Sequence, residues 1–212
     1  MQMTVKGLLI VISGPSGAGK GTLCKALMEK ETDLNISVSM TTRAPRNGEI
    51  EGQNYFFVNR QYFENMISSN GFLEYAHVYD NYYGTPRDRV EDLLKQGKDV
   101  ILEIDIQGAL KVKEEYSEGV FIFILPPSME ELKNRITKRG SETEESLMKR
   151  FKAAYKEINY YSKYNYVVIN DIVENAVSKL QSIIIAEKCR VDRHKDNVLS
   201  SEEGLLHEQF YD

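Results

Sequence analysis

Cysteine, histidine and excess positive charge are all scarce in this chain, and each scarcity closes off a class of function. The two cysteines, Cys24 and Cys189, lie far apart and form no Cys-x-x-Cys pair. Neither a disulfide framework nor a thiolate metal site is expected, and free thiols in a reducing cytosol are the simplest reading. The three histidines, His77, His194 and His207, are scattered, so a histidine-held metal lacks its ligands. A formal net charge of −5 argues against a general nucleic-acid binder, whose affinity rests on a basic surface that displaces counterions. No apolar stretch approaches the roughly 20 residues that span a bilayer. The N-terminal apolar run is too short for a secretory core and flows straight into a glycine-rich turn, so no targeting segment is expected and the location reads as cytoplasmic.

What is present is an ordinary globular composition, 212 residues with 42% hydrophobic and 28% charged, enough for one sizeable core with small inserted subdomains. The chain is organised around its first turn. The apolar run Leu8-Leu9-Ile10-Val11-Ile12 leads into Gly14-Pro15-Ser16-Gly17-Ala18-Gly19-Lys20-Gly21-Thr22, and Leu23, Ala26 and Leu27 follow at helical spacing. Strand, glycine-rich loop and helix in that order wrap a phosphate: the glycines let the backbone approach closely, and successive N–H groups point at the anion. Lys20 adds a cation for the outer phosphates of a nucleoside triphosphate. Gly21 stands where a magnesium-binding hydroxyl is usual, and the hydroxyl comes one place later at Thr22. That leaves open whether a side chain of the loop touches the metal.

Beyond the first helix, Ile36 to Ser39 and Asn54 to Val58 read as short strands, and Met40 to Glu49 as an irregular, breaker-rich segment. Gln61 to Ser69 reads as a helix capped by Asn59, and Phe72 to Val78 and Tyr82 to Gly84 as strands around a turn at Asp80 and Asn81. Thr85 and Pro86 read as the cap and first position of a helix that ends near Gly97. Val100 to Asp105 is a largely apolar strand with a carboxylate at its end, as a buried parallel strand feeding an active site would be. A helix from about Gln107 to Tyr116 and the strand Val120 to Leu125 follow. Ser128 with Glu131, and Ser141 with Glu144, look like capping boxes. The second opens a helix whose apolar face is Leu147, Phe151, Ala154, Tyr155 and Ile158. Tyr166 to Ile169 is the last strand, a helix to about Val191 closes the pattern, and a polar tail runs from Arg193 to Asp212. Alternating strands and helices predict an α/β fold with a mostly parallel sheet flanked by helices.

Arg43 and Arg46 lie near Ser39, Thr41 and Thr42, and two guanidinium forks so close together suit a second phosphate. The segment Ser37-Val38-Ser39-Met40-Thr41-Thr42-Arg43-Ala44-Pro45-Arg46-Asn47-Gly48-Glu49 closely resembles the signature of the guanylate kinase family. Tyr82-Tyr83-Gly84-Thr85, Leu102-Glu103-Ile104-Asp105-Ile106-Gln107-Gly108 and Arg139-Gly140-Ser141-Glu142-Thr143-Glu144 resemble it too, in order, so the likeness runs from about Leu8 to Arg193. It implies the reaction ATP + GMP giving ADP + GDP, with Mg2+ carried by ATP. The architecture it implies is a P-loop NTPase-type domain over residues 1–192: core 1–36, 91–126 and 152–192, a mixed-β GMP-binding insertion at 37–90, a helical lid at 127–151, and a tail at 193–212.

By the same resemblance Arg43, Arg46, Glu49, Tyr55 and Tyr83 gather around the GMP phosphate, and Ser39, Glu74, Thr85 and Asp105 around the guanine. Lys20 and the loop from Gly14 to Thr22 serve ATP, with Asn170 matching an adenine-contacting position or else capping the last helix. Arg135, Arg139 and Arg150 match lid arginines that close over the transferring group, although Arg135 and Arg139 also read as plain surface residues. The implied partners are ATP and GMP, with dGMP a further candidate acceptor, and neither nucleic acid nor membrane. Two alternatives stay open: another monophosphate kinase, perhaps using AMP, and a non-catalytic scaffold module of similar fold.

Overall fold

The computed structural model describes residues 6–78, 80–138 and 144–194. The chain begins with β1 (Leu9–Ser13), α1 (Lys20–Lys30) and two short strands, β2 (Asn35–Ile36) and β3 (Met40–Thr41). Next come β4 (Phe56–Phe57), α2 (Arg60–Ser68), β5 (Phe72–Val78) and β6 (Asn81–Pro86). They lead to α3 (Arg87–Lys95), β7 (Val100–Glu103), α4 (Ile106–Glu115) and β8 (Val120–Leu125). Helices α5 (Met129–Lys138) and α6 (Glu144–Ile158) precede a 3₁₀ turn at Asn159–Lys163, β9 (Tyr166–Ile169) and α7 (Val173–Lys188).

Two sheets result. One has five strands in the order β2-β7-β1-β8-β9, and every pairing in it is parallel. All five side chains of β1 are buried. Ile10 and Ile12 meet Leu23 and Leu27 of α1 and Val177 and Leu180 of α7, while Leu9 and Val11 meet Val90, Leu94, Ala109 and Val112 on the other face. Helices on both sides explain why β1 and β8 read as unbroken apolar runs and not as alternating ones. Parallel pairing also brings the C-terminal ends of β1, β7, β8 and β9 to one edge, where ligands of such sheets bind.

The second sheet has four strands in the order β4-β3-β6-β5, with β3 and β4 parallel and the other pairs antiparallel. It carries its own small core of Met40, Phe63 and Phe72. Phe63 of α2 is fully buried and stacks on Phe72 at 4.3 Å and on Tyr82 at 5.2 Å. Gly84 makes room for that stack, because a Cβ there would lie 2.9 Å from Phe72 Cδ1 and 3.0 Å from Phe63 Cζ.

Several local expectations hold. Asn59 caps α2 by accepting from the Tyr62 N–H at 2.8 Å, and Ser128 accepts from the Glu131 N–H at 3.0 Å. The reciprocal half of that box does not form as drawn, since the Glu131 carboxylate turns to Arg135 at 2.8 Å. The expected cap of α3 is corrected. Strand β6 runs on to Pro86, which itself stands at the cap position, and the Thr85 hydroxyl donates instead to Glu74 at 2.7 Å. With Pro86 at the cap position Thr85 stands one residue too early to cap, and the Arg87 N–H donates to the Gly71 carbonyl at 2.9 Å. Tyr155 is likewise corrected: it is 61% exposed, whereas Ala154 is buried and Phe151 and Ile158 pack partly against Leu132 and Ile136. The second capping box and the tail beyond His194 lie outside the described residues. Among the described residues no helix is long and apolar enough to cross a membrane.

Because Phe63 ties α2 to β5 and β6, Phe63→Ala is expected to lower unfolding stability by about 3–5 kcal/mol. A denaturant titration that gave the wild-type midpoint would remove this ring from the account of how the second sheet is held.

Candidate active site

The turn after β1 crosses the C-terminal edge of the parallel sheet. Gly14 (φ +146°) passes so close to β8 that a Cβ would lie 2.3 Å from the Ile124 carbonyl oxygen. Gly19, at φ +90°, stands at the N-cap of α1 and supplies no side-chain cap, so the first helix N–H groups remain available to an anion. The Lys20 ammonium folds back on its own loop, donating to the Gly14 carbonyl at 2.6 Å and the Pro15 carbonyl at 3.3 Å. Burial lowers its pKa, and the nearby carboxylates of Glu103, Glu157 and Asp105 oppose that shift. Gly14, Ser16, Gly17, Gly19, Lys20 and Gly21 line a cavity of about 220 Å³, closed on the other side by Glu103, Asp105, Ile106 and Glu157. Thr22 lies in the first turn of α1, outside that lining.

The loop is braced from outside. Asn170, buried after β9, donates from Nδ2 to the Ala18 carbonyl at 2.8 Å. Helix α7 begins after Ile172 with no side-chain cap, so the capping reading of Asn170 is overturned. Arg135 reaches the Ala18 carbonyl at 3.4 Å and the Asn170 carbonyl at 3.1 Å, and Arg150 donates to the Ser16 hydroxyl at 3.1 Å. Arg135 is therefore not a plain surface residue. Leu132 and Ile136 of α5 lie against Gly17, where a Cβ would fall within 3.0 Å of both. Arg139 lies outside the described residues.

A second cavity, of about 280 Å³, opens beside the first between the two sheets. Ser39, Tyr55, Glu74, Tyr83 and Asp105 line it, and it shares Glu103 and Asp105 with the loop cavity. Arg43 is held just behind: its guanidinium forks onto Glu49 with two contacts of 2.7 Å and lies over the rings of Tyr55 and Phe57. Glu49 also accepts from the Arg46 N–H at 2.7 Å. Its hydrogen bond from Arg43, then the one from Arg46, depress its pKa to about 2. Glu49 is therefore a fixed anion that orients Arg43, since a carboxylate cannot itself attract a phosphate. The Arg46 side chain is exposed.

Glu74 is the unusual group. It is a buried carboxylate, 8% exposed, that receives the Thr85 hydroxyl. Burial pushes its pKa up to about 7; the Thr85 bond opposes the shift, Asp105 adds to it and Lys111 opposes it. Gly108 allows this approach, since a Cβ there would lie 2.7 Å from Glu74 Oε2. Asp105 caps α4 by accepting from the Gly108 N–H at 2.7 Å while facing both cavities.

Two residues at this junction carry no role in the sequence reading. Glu103 lies two residues before Asp105 at the same strand end, so the signal that marks Asp105 marks it as well. Glu157 gave no signal, because on sequence it is one more charge on the polar side of an amphipathic helix.

A parallel sheet whose first strand runs into a glycine loop and an uncapped helix defines a phosphate-loop nucleotide-binding protein, here with a second pocket on an adjoining mixed sheet. Comparison with known proteins narrows this. The guanylate kinase family profile matches residues 6–187. A guanylate kinase of Clostridium acetobutylicum is 70% identical over 99% of this chain and 100% of its own, and one of Clostridium tetani 69% identical over 98% and 99%. The crystal structure of guanylate kinase from Anaplasma phagocytophilum superposes with a TM-score of 0.77 at 35% identity, covering 96% of this chain and 99% of the other. The chain belongs to the guanylate kinase family.

The position of Glu74 makes stability depend on pH in a definite sense. The folded chain keeps this proton up to about pH 7, whereas an ordinary glutamate releases it near 4.5. The folded state therefore binds more protons across that window, and stability falls as pH rises through it. Relative to Glu74→Gln, the wild type is expected to lose about 3 kcal/mol between pH 4.5 and pH 8. Parallel stability curves for the two proteins would contradict the burial of this charge.

Proposed function

We propose that the loop cavity takes ATP and the cavity on the mixed sheet takes GMP, the division of labour behind the reaction ATP + GMP giving ADP + GDP. The chain is a phosphotransferase of the guanylate kinase family, and the observation that carries the assignment is the shared rim: the two cavities meet at Glu103 and Asp105. A phosphoryl group leaving one nucleotide thus has only a short way to travel to the other.

On the ATP side, the loop N–H groups and the α1 N-terminus receive phosphate oxygens, and Lys20 leaves its own carbonyls for the outer phosphates. Asn170 lies at the adenine end of the loop. On the GMP side, Arg43, oriented by Glu49, meets the phosphate with Arg46, Tyr55 and Tyr83. Burial raises the Tyr55 pKa, which keeps the phenol a neutral donor. Ser39, Glu74, Thr85 and Asp105 surround the base. Guanine offers a ring N–H and an exocyclic amine as parallel donors, and one carboxylate accepts both. Adenine offers no such pair and leaves the buried Glu74 with the Thr85 hydroxyl alone, which favours GMP over AMP.

The acceptor oxygen needs no general base, because a phosphate monoester with a second pKa near 6 is already ionised at neutral pH. The work is to hold two anionic groups in line and exclude water. Arg135 and Arg150, already at the loop, supply positive charge beside the transferring group, and Arg139 belongs to the same lid. We assign residues 37–90 to the GMP-binding insertion and 127–151 to the lid.

The magnesium ion that such a transfer implies suits an oxygen donor set. A Cβ at Gly21 would lie 3.3 Å from Glu103 Oε1, so a carboxylate stands where many phosphate loops have a hydroxyl. Among the described residues no group of three or more His, Cys, Asp or Glu is placed to hold a metal alone. Glu103 and Asp105 would hold the ion together with ATP phosphates and water. Bound there, it neutralises phosphate charge. A cytoplasmic location, where ATP and GMP are found, accompanies this reading.

A coupled assay with ATP and each of GMP, dGMP, AMP, CMP and UMP tests the assignment, with GMP expected to be used far best. Glu74→Gln is expected to cut kcat/KM for GMP by about 10²-fold or more, and Lys20→Ala to cut kcat by at least about 10². Equal use of AMP, or a Lys20→Ala enzyme at wild-type rate, would refute the corresponding half of the site.

A further inference from the structure

One charged side chain enters the loop cavity without a part in the assignments above. It is Glu157, from the last turn of α6. Its Oε2 accepts the Ser16 backbone N–H at 3.3 Å, and that N–H belongs to the turn that wraps phosphate. Arg150, seven residues earlier and so two turns away on the same helical face, donates to the hydroxyl of the same serine at 3.1 Å. Helix α6 therefore grips Ser16 twice, by a cation on its hydroxyl and by a carboxylate on its N–H. The carboxylate is also close enough to Lys20 to act on its titration.

A carboxylate on a phosphate-loop N–H, beside the loop lysine, stands where a phosphate oxygen would stand. We propose that Glu157 stands in for a phosphate oxygen at the Ser16 N–H, so that the phosphates of ATP must displace it and its charge sets how tightly ATP binds. The proposal rests on the reading of the loop as the ATP site. Two anions do not share one donor at close range, so ATP enters only the fraction of molecules in which Glu157 has withdrawn, and the apparent affinity falls by that fraction. Arg150 carries the opposite charge. The same displacement leaves it beside the incoming phosphates, so α6 exchanges a repulsive contact for an attractive one.

The contact is long and Glu157 is half-exposed, so the effect is moderate: Glu157→Gln is expected to tighten ATP binding by about 3- to 10-fold, and Glu157→Ala by at least as much. Calorimetric titration of the full chain with ATP, with tripolyphosphate and with adenosine reads this directly. The first two ligands should gain by a similar factor and adenosine should not, because the competition is for the phosphates. In steady state at saturating GMP, KM for ATP should fall while kcat stays within about twofold. Unchanged or weaker ATP binding in both variants would overturn the proposal. So would an equal gain for adenosine, or a lower kcat with unchanged ATP affinity, which would put Glu157 in the transfer itself. Lys20→Ala, run alongside, separates the two levels of argument. If it keeps both wild-type ATP binding and wild-type rate, the loop is not the ATP site and both readings fall; if it loses either while the Glu157 variants behave as wild type, the loop reading stands and the Glu157 proposal fails alone.

Discussion

Two nucleotide phosphates repel each other, and a chain with a net charge of −5 must nevertheless hold both at one place. It does so with local and oriented positive charge. Among the described residues, Lys20 is held by the Gly14 and Pro15 carbonyls, Arg43 by Glu49, Arg135 by Glu131 and the carbonyls of Ala18 and Asn170, and Arg150 by the Ser16 hydroxyl. Glu49 and the loop carbonyls hold Arg43 and Arg135 in advance, which reduces the entropy lost when phosphates arrive, whereas Lys20 exchanges its carbonyls for them. The parallel sheet makes this possible, because it delivers the ends of β1, β7, β8 and β9 to one edge and aims the uncapped α1 N-terminus at it.

The proposed GMP side would work on the reverse principle. Glu74 is a carboxyl group taken out of water and left with a hydroxyl partner, and burial raises its pKa. Such a carboxylate is stabilised by a ligand that brings paired donors and penalised by one that does not. Selectivity then comes from an unfavourable empty state as much as from a favourable full one. Gly108 and the end of β6 are shaped around it, the first by having no side chain and the second by turning the Thr85 hydroxyl to Glu74.

Much of this was legible in the residues. The buried strands appear as apolar runs, the caps Asn59 and Ser128 as polar residues in front of helical periodicity, and the phosphate loop as glycines and a lysine between a strand and a helix. All of these are local, because a turn or two of chain carries its own reason. Thr85 was misread for the same cause. Next to a proline and before a helix, its local surroundings favour a cap, but pairing with β5 carries β6 on to Pro86 and turns the Thr85 hydroxyl to a carboxylate eleven residues away in sequence. Tyr155 follows the helical period of α6, yet it is 61% exposed.

The amino-acid sequence alone determined the α/β alternation and the glycine-rich turn between β1 and α1, because each depends on neighbours within a few residues. Only the tertiary structure decided that Glu49 orients Arg43, that Glu103 and Asp105 join the two cavities, that Asn170 and Arg135 brace the loop at Ala18, and that Glu157 reaches the Ser16 N–H. Those contacts span up to 152 residues of chain. What a charged side chain does is set by the charges and dipoles that folding brings within a few ångströms, and those do not follow from its position in the sequence.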